Sequence, residues 1–315
     1  MKVAIFSKIW PETIEELKKN HDCIISINPE IEEKHKIIRD VEAVILRSPV
    51  KLDQETLSKA KNLKLILRAG MGLDTIDVEY AKKQGSSIAI VPLSATSAAE
   101  HAIGLMLALH RRIPWFHQTL KENRWEKGSY FASELNGKML GLIGFGRIGR
   151  TIADISKAFN MDLQTFDRSP LKSFKTEIRE KLGVKLVDLS TLLKTSDVIS
   201  IQTPLNEQTR NLINKENIST MKKTSMIINV GRGGIIDENA LQHALANNNI
   251  GGAALDVFEK EPPKDNPLLN LDNFIGTPHI AAQTINAQKK IGDDVLQIVD
   301  AYNKGLELRK YAIVV

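Results

Sequence analysis

The stretch KMLGLIGFGRIG, at positions 138–149, decides the fold of this chain. Its first half contains a short apolar run of strand length, Met139 to Ile143, and its second half is a G-x-G-x-x-G sequence. A helical pattern follows from Arg147 to about Phe159, and a second apolar stretch ends at Asp167. A strand, a glycine-rich turn, a helix, a second strand and a terminal acid are the parts of a dinucleotide-binding βαβ unit.

Each glycine of this turn has its own physical task. Gly144 permits a tight turn, Gly146 lets the backbone approach a pyrophosphate, and Gly149 lets the helix pack close to the strand. The helix N-terminus then offers N–H groups and a positive dipole end to the phosphates. Asp167 lies 18 residues after Gly149, near the spacing of a ribose-binding acid. An ordinary strand–turn–helix is the alternative, and the flanking pattern favours the dinucleotide site.

Size and composition indicate a globular protein with two domains. The chain has 315 residues, of which 42% are apolar and 26% charged, and this length is large for a single core. The net charge of +5 comes from 43 Lys and Arg against 38 Asp and Glu. The basic residues are scattered, so the charge fits a small anionic substrate and an anionic cofactor and requires no nucleic-acid partner.

Several features predict a cytoplasmic protein without a membrane partner. Cys23 is the single cysteine, which excludes an intrachain disulfide and agrees with a reducing compartment. The N-terminus turns polar too soon for a signal peptide. The apolar run from Ala102 to Leu109 is far shorter than the roughly 20 residues that span a bilayer. No Cys/His cluster has the spacing of metal ligands, so we predict no metal.

Strands alternate with helices along most of the chain, which predicts mostly parallel open sheets. We therefore expect an α/β protein with two doubly wound parallel-sheet domains, Rossmann or flavodoxin-like, and a cleft between them. Residues 1–96 with 284–315 are the expected substrate-binding domain, to which the last helix returns. Residues 97–283, which contain the glycine-rich turn, are the expected dinucleotide-binding Rossmann domain. Ligands of such sheets bind at the carboxyl ends of the strands.

The middle of the chain contains a long helical pattern and a polar connecting arm. The helix, SAAEHAIGLMLALHRRI from Ser97, is apolar nearly all round and is expected to be buried and to end at Pro114. His101 and His110 on it are predicted to be packed core histidines. The arm, residues 121–136, contains aromatic side chains.

Three chemically active side chains follow three predicted strands of the second half. They are Arg232 in NVGRGGIID, Glu261 in ALDVFEKEPP and His279 in GTPHIAAQT. A histidine can exchange a proton with a hydroxyl near neutral pH. A carboxylate on its other ring nitrogen fixes the tautomer, and an arginine fork binds a carboxylate. Each residue alone could be an ordinary loop residue, but their coincidence on one sheet favours catalysis.

At this point the chain resembles the D-isomer-specific 2-hydroxyacid dehydrogenases. The matching stretches span nearly the whole chain and are RAGMGLDTID, SAAEHAIGLML, GLIGFGRIGR, INVGRGGIIDENAL, GAALDVFEKEPP and TPHIAAQT, with the acid at Asp167. The combination of ELNGKMLGLIGFGRIG with RAGMGLDTID is most similar to the phosphoglycerate dehydrogenase branch. Many members have Ala before the catalytic arginine, where this chain has Gly231, so we expect a looser loop there. Because the sequence ends at Val315, we expect the short form of this branch, without an appended regulatory domain.

The resemblance implies a set of site residues. Arg232, Glu261 and His279 are the expected catalytic residues, with His279 as acid and base and Glu261 as its support. The expected cofactor-binding residues for NAD are Thr96, Gly144, Gly146, Arg147, Ile148, Gly149, Asp167, Thr203, Pro204, Val230, Gly231 and Asp256, the last near the nicotinamide. The expected substrate-binding residues are Arg47, Arg68, Gly70, Met71, Lys127 and Arg232.

The resemblance also implies the activity and its alternatives. The expected reaction is the NAD-dependent oxidation of D-3-phosphoglycerate to 3-phosphohydroxypyruvate by a homodimer. Arg47 and Arg68 are expected to bind the substrate phosphate, with pairing to local acids as the alternative. A glyoxylate or hydroxypyruvate reductase is the alternative within the family. An NAD-sensing, corepressor-like binding protein is the alternative from another class, and the intact catalytic residues favour an enzyme over it.

Overall fold

Two compact units make up the chain, residues 1–94 with 282–315 and residues 95–281. They are seen in a computed structural model that describes residues 1–91, 94–167, 173–310 and 313–314. No helix among the described residues is long and apolar enough to cross a membrane.

The helices and strands alternate along the chain. The strands are β1 (Lys2–Ile5), β2 (Asp22–Ile25), β3 (Ala43–Leu46), β4 (Leu65–Arg68), β5 (Ser87–Ile90), β6 (Met139–Ile143), β7 (Asp162–Phe166), β8 (Lys185–Leu186), β9 (Val198–Ile201), β10 (Met226–Asn229), β11 (Gly252–Leu255), β12 (Phe274–Gly276) and β13 (Ile313–Val314). The helices are α1 (Pro11–Asn20), α2 (Ile31–Ile38), α3 (Gln54–Ser58), α4 (Val78–Lys83), α5 (Ala95–His110), α6 (Ile113–Lys121), α7 (Arg147–Lys157), α8 (Ser173–Lys181), α9 (Leu189–Thr195), α10 (Lys215–Ser219), α11 (Glu238–Ala246) and α12 (Ile285–Asn303).

The first unit is built on a sheet in the order β2-β1-β3-β4-β5, with β13 added beside β5. The first five strands are parallel and β13 is antiparallel. The strand β3, AVIL, is fully buried, as expected for a strand covered on both faces. The helix α12 packs on this sheet through Ile291, Val295 and Ile298. The order is that of a flavodoxin-like doubly wound fold.

The second unit is built on a parallel sheet of seven strands in the order β8-β7-β6-β9-β10-β11-β12. Chain order reverses between β6 and β9, which pair directly. This is the strand order of a Rossmann fold, and such a switch point leaves a crevice at the carboxyl ends of the strands. The predicted fold class is confirmed for both units. The assignment of substrate to one unit and cofactor to the other stays a prediction.

Several helices begin at side chains that cap them. Asp53, Asp77, Asp188 and Asp237 each accept a hydrogen bond from a backbone N–H in the first turn of their helix. Such caps satisfy N–H groups that have no partner within the helix.

The segment after α5 differs from its prediction. We expected Pro114 to end the helical region, but it lies in the first turn of α6. Proline is favoured there because the N–H it lacks would have no helical partner. The chain reverses between the two helices at Arg112, which has a left-handed φ of 49°.

Candidate active site

The glycine-rich turn lies at the switch point between β6 and β9. Gly144 has a φ of +98°, a conformation that favours glycine. A Cβ at Gly149 would overlap the carbonyl oxygen of Gly144, whereas a Cβ at Gly146 would meet nothing within 4 Å. Gly146 also precedes α7 without a side-chain cap. The backbone is therefore shaped for an anionic group at the start of α7, as a pyrophosphate requires.

Gln202, which the sequence analysis did not single out, braces this turn. Its Nε2 donates hydrogen bonds to the carbonyl oxygens of Ile143 at 3.1 Å and Gly144 at 2.7 Å. Its Oε1 accepts a hydrogen bond of 2.9 Å from the Ser200 hydroxyl. Both amide ends are thus used to fix the turn. Gln202 could not be recognised from the sequence because its partners are backbone carbonyls of another strand.

A crevice of about 230 Å³ opens beside the turn. It brings together four predicted cofactor residues with residues that the sequence analysis did not select. The lining residues are Ile143, Gly144, Phe166, Asp167, Thr203, Pro204, Asn206, Gln208, Thr209 and Leu212. Asp167 directly follows β7 here, where a ribose-binding acid is expected in this fold. These residues fit a dinucleotide.

Four other predicted cofactor residues belong to the same unit. Thr96 is exposed in the first turn of α5, and Arg147 and Ile148 begin α7. Val230 follows β10 and is buried. None of these four lines the crevice described above.

Gly231 corrects one expectation from the sequence. A Cβ there would lie 2.8 Å from the carbonyl oxygen of Thr203. The N–H of Gly231 also donates to Asn229 Oδ1 at 3.0 Å, and the residue is buried. The expectation of a looser loop is wrong, because glycine here allows the backbone to pack tightly on the segment after β9.

Arg232 lies on a turn that packs against the segment carrying Glu261. Asn229 Nδ2 donates to the carbonyl oxygen of Arg232 at 2.9 Å and so fixes the turn. A Cβ at Gly233 would overlap the backbone of Phe258, and the N–H of Phe258 donates to Glu261 Oε1 at 3.2 Å. Arg232 is close enough that its charge acts on Glu261.

Glu261 and His279 form a direct pair. His279 Nδ1 lies 2.9 Å from Glu261 Oε2 and 3.1 Å from Oε1. Because an ionised carboxylate only accepts hydrogen bonds, Nδ1 carries the proton, which leaves Nε2 for proton exchange. Burial raises the pKa of Glu261, but the hydrogen bond and charge of His279, the Phe258 N–H and the Arg232 charge outweigh it. The pKa of Glu261 is therefore below its ordinary value.

Asp256 fixes the backbone that carries His279. Its carboxylate accepts hydrogen bonds from the Thr277 hydroxyl at 2.6 Å and from the N–H groups of Ile280 and Ala281, both at 2.9 Å. Its carbonyl oxygen accepts the N–H of His279 at 2.8 Å. His279 has a left-handed φ of 54°, which is uncommon outside glycine and requires support from its surroundings.

The Asp256 carboxylate is fully buried. Burial raises its pKa, but the hydrogen bonds from His101, Thr277, Ile280 and Ala281 outweigh this effect, so that the pKa is below its ordinary value. The predicted contact of Asp256 with the nicotinamide stays a prediction. The contacts present hold residues 277–281, which we call the His279 segment.

The prediction for His101 is wrong. Its side chain is 21% exposed, and Nε2 lies 3.3 Å from Asp256 Oδ1 and 3.1 Å from Thr277 Oγ1. His101 is therefore part of a polar cluster and not a packed core side chain. His110 on the same helix is buried, and its Nε2 contacts the carbonyl oxygen of Ser133.

The predicted substrate residues of the first unit lie after neighbouring strands. Arg47 follows β3, and its Nη1 donates to Gln288 Oε1 at 2.6 Å. Arg68 ends β4 and donates to the Gly72 carbonyl at 2.7 Å and the Ser48 hydroxyl at 2.8 Å. The acceptors of these three bonds are neutral groups. Burial lowers the pKa of Arg47 from its ordinary value.

Of the remaining predicted substrate residues, Gly70 is buried, whereas Met71 and Lys127 are exposed. Gly70 and Met71 follow β4, and Met71 is 37% exposed. Lys127 is exposed in the arm of the second unit. Among the described residues, no group of three or more His, Cys, Asp or Glu side chains is arranged to hold a metal ion.

Comparison with known proteins agrees with this geometry. Residues 103–281 match the family model described as D-isomer specific 2-hydroxyacid dehydrogenase, NAD binding domain. The chain belongs to this family. The family match gives it an NAD-binding domain, and the predicted family and cofactor are confirmed.

Two curated relatives differ in name and in coverage. D-3-phosphoglycerate dehydrogenase from Archaeoglobus fulgidus is 42% identical over 317 residues, which covers 98% of this chain and 58% of the relative. The hydroxypyruvate reductase from Thermotoga maritima is 45% identical over 278 residues, covering 87% of this chain and 89% of the relative. The chain thus spans little more than half the length of the phosphoglycerate dehydrogenase it matches.

Solved structures of the family share the fold. The D-lactate dehydrogenase from Aquifex aeolicus, in complex with NAD and lactic acid, is 31% identical and has a TM-score of 0.86. The match covers 97% of this chain and 96% of that one.

Proposed function

We propose that the chain catalyses the NAD-dependent oxidation of D-3-phosphoglycerate to 3-phosphohydroxypyruvate, a step of serine biosynthesis. The observation that carries this proposal is the 2.9 Å pair of His279 Nδ1 with Glu261 Oε2 on the Rossmann unit that bears the glycine-rich turn. The relatives named phosphoglycerate dehydrogenase support the choice of substrate.

We propose a separate catalytic role for each of His279, Glu261 and Arg232. A bound NAD would supply the acceptor for the hydride that leaves the hydroxyl-bearing carbon of the substrate. His279 Nε2 takes the hydroxyl proton, and Glu261 stabilises the imidazolium that results. Arg232 binds the substrate carboxylate through its planar fork of donors and stabilises negative charge on the reacting oxygen.

The phosphate end of the substrate requires further cations. We propose that Arg47 and Arg68 bind it, because guanidinium groups match phosphate oxygens in a bidentate manner. Gly70 and Met71 follow Arg68 directly, and their backbone N–H groups are proposed to bind the substrate carboxylate. Lys127 is proposed as an additional cation for the phosphate.

The test compares His279→Ala with His243→Ala. His243 is an exposed histidine of α11 in the same unit, and its substitution controls for the loss of an imidazole. We expect His279→Ala to lower kcat by roughly 10²- to 10⁴-fold, the range for general acid–base catalysis, while the affinity for NAD is retained. A His279→Ala enzyme that oxidises substrate at the parent rate would refute the assignment.

A second candidate is a hydroxypyruvate reductase. The observation that favours it is the relative with that name, which the chain covers over 89% of its length. It uses the same His279 and Glu261 chemistry in the direction of reduction. Rates with phosphorylated and unphosphorylated substrates distinguish the two candidates.

We further propose that the protein is a cytoplasmic homodimer. Trp125 and Phe131 in the arm are 78% and 88% exposed, although both are large aromatic side chains. Exposed apolar groups of this kind are typical of an interface. Light scattering should give twice the 35.1 kDa mass of one chain. A mass of a single chain at micromolar concentration would refute the dimer.

A further inference from the structure

His101 lies where a support for the His279 segment is required. The helix α5 carries it to the end of β12, and its Nε2 is 3.1 Å from Thr277 Oγ1 and 3.3 Å from Asp256 Oδ1. Thr277 begins the His279 segment, and Asp256 holds its other end through the N–H groups of Ile280 and Ala281. One imidazole nitrogen thus contacts both side chains that hold this segment.

The hydrogen-bond chemistry fixes the protonation of that nitrogen. The Thr277 hydroxyl donates its proton to Asp256 Oδ1, so its oxygen is left as an acceptor toward His101. The carboxylate of Asp256 is also an acceptor. His101 Nε2 must therefore carry a proton and donate it to this pair. The histidine is used as a fixed donor, unlike His279, whose Nε2 exchanges its proton.

Without the donor from His101, the cluster would be incomplete. Asp256 Oδ1 would keep the Thr277 hydroxyl and the Ile280 N–H, but the Thr277 oxygen would lose the donor at 3.1 Å. The Thr277 hydroxyl is placed by one side-chain torsion, χ1, and the hydrogen bonds that the hydroxyl makes select among its rotamers. A rotated Thr277 would release the backbone just before His279.

We propose that His101 is a positioning residue for the reaction, which holds Asp256 and Thr277 so that His279 keeps its left-handed backbone and its pairing with Glu261. This inference rests on the proposed function, because it assigns the role through His279. It extends that function to a residue of α5 that contacts neither Glu261 nor the ring of His279 among the described hydrogen bonds.

The test uses three variants of α5. His101→Leu removes the donor, His101→Gln restores an N–H at the position of Nε2, and His110→Leu is the control on the same helix. We expect His101→Leu to lower kcat by roughly 10- to 100-fold, as for a small misplacement of a catalytic group, with the affinity for NAD unchanged. His101→Gln should recover most of this loss. His110→Leu should lower the melting temperature and leave kcat at the parent value, because His110 contacts Ser133 and not the His279 segment.

A crystal structure of the His101→Leu variant provides a readout that needs no substrate. We expect the 2.9 Å separation of His279 Nδ1 and Glu261 Oε2 to be lost. If the chain oxidises no 2-hydroxy acid, the proposed function fails, and this structure still decides the role of His101. If His101→Leu does not fold, Thr277→Val removes the same contact from the other side, and Thr277→Ser is its restoring control. An unchanged kcat and an unchanged His279–Glu261 pair in the folded variant would overturn the inference, as would a glutamine variant no better than leucine.

Discussion

Replacing Asp256 by asparagine tests how the His279 segment is held. Oδ1 of Asp256 accepts the Thr277 hydroxyl and the Ile280 N–H, and it lies 3.3 Å from His101 Nε2. Within the described part of the chain, Oδ2 accepts the Ala281 N–H alone, at 2.9 Å. Asparagine has one acceptor oxygen. Placed at the position of Oδ1, this oxygen can still accept from the Thr277 hydroxyl and the Ile280 N–H. Its NH₂ group then faces the N–H of Ala281, donor against donor.

The cost follows from these contacts. Ala281 is buried, so its N–H has little access to water. An unsatisfied buried donor costs about 1–3 kcal/mol. The remaining hydrogen bonds lose the charge of the carboxylate, and charge-assisted bonds are roughly twice as strong as neutral ones. We therefore expect Asp256→Asn to lower the free energy of unfolding by about 3 kcal/mol.

The loss should also appear in catalysis, because the segment that moves carries His279. A displacement of about 1 Å can cost 10²-fold in rate, so we expect kcat to fall by roughly that factor. The affinity for NAD should be retained. The measurements are kcat, the dissociation constant for NAD by fluorescence titration, and urea unfolding of both proteins.

The matched control is Asp197→Asn. Asp197 lies before β9, and its carboxylate accepts the Met139 N–H at 2.9 Å and the Lys222 ammonium at 2.8 Å. Its replacement should lower stability and spare kcat. An Asp256→Asn variant with normal kcat and weakened NAD binding would refute the reasoning and place this carboxylate at the cofactor.

Three further predictions concern the cofactor, the pH dependence and the substrate phosphate. Asp167→Ala should lower the ratio of kcat/KM with NAD to kcat/KM with NADP by roughly 10- to 150-fold, because charge-assisted hydrogen bonds of about 1.5–3 kcal/mol to the ribose are lost. An unchanged ratio of these two values would contradict this prediction. Because the pKa of Glu261 is lower folded than unfolded, its pairing stabilises the protein above about pH 4.3 and the gain disappears as pH falls through the folded pKa. The difference in urea midpoint between parent and Glu261→Gln should therefore be present at pH 7 and vanish at low pH. It should correspond to less than about 1 kcal/mol, because both side chains of the pair are partly exposed. A difference in urea midpoint that grows at low pH would contradict the predicted sign. Arg47→Ala should reduce kcat/KM for 3-phosphoglycerate by roughly 10- to 150-fold and spare D-glycerate, with the exposed Arg39→Ala as control; equal losses on both substrates would remove the phosphate assignment.

The regular elements of the fold were predictable where local signals agree. The strand β6 has the predicted bounds and the helix α7 begins at the predicted residue, because an apolar run and the glycine-rich turn mark these ends. The two-residue strands β8 and β13 were missed, because such short pairings depend on a neighbouring strand and not on a local pattern. Pro114 was misinterpreted because proline both ends helices and begins them.

The site was predictable in part for the same reason. Parallel strands end at one edge, so Glu261 and His279 were expected together before the structure gave their separation. The role of Asp256 in holding residues 277–281 was not visible, because its partners there are mainly backbone N–H groups. His101 has apolar neighbours in the sequence, and these favoured a packed core histidine. Its actual contacts, Asp256 and Thr277, depend on how α5 packs against β12 and the segment after β11, which the sequence does not show.

The central claim is the oxidation of D-3-phosphoglycerate, and steady-state rates with NAD test it most directly. The same enzyme preparation is assayed for NAD reduction with D-3-phosphoglycerate and with D-glycerate, and for NADH oxidation with hydroxypyruvate and glyoxylate. We expect D-3-phosphoglycerate to be oxidised with a kcat/KM well above that for D-glycerate, and the His279→Ala variant to lose this activity. Rapid reduction of hydroxypyruvate or glyoxylate with no oxidation of D-3-phosphoglycerate would contradict the claim.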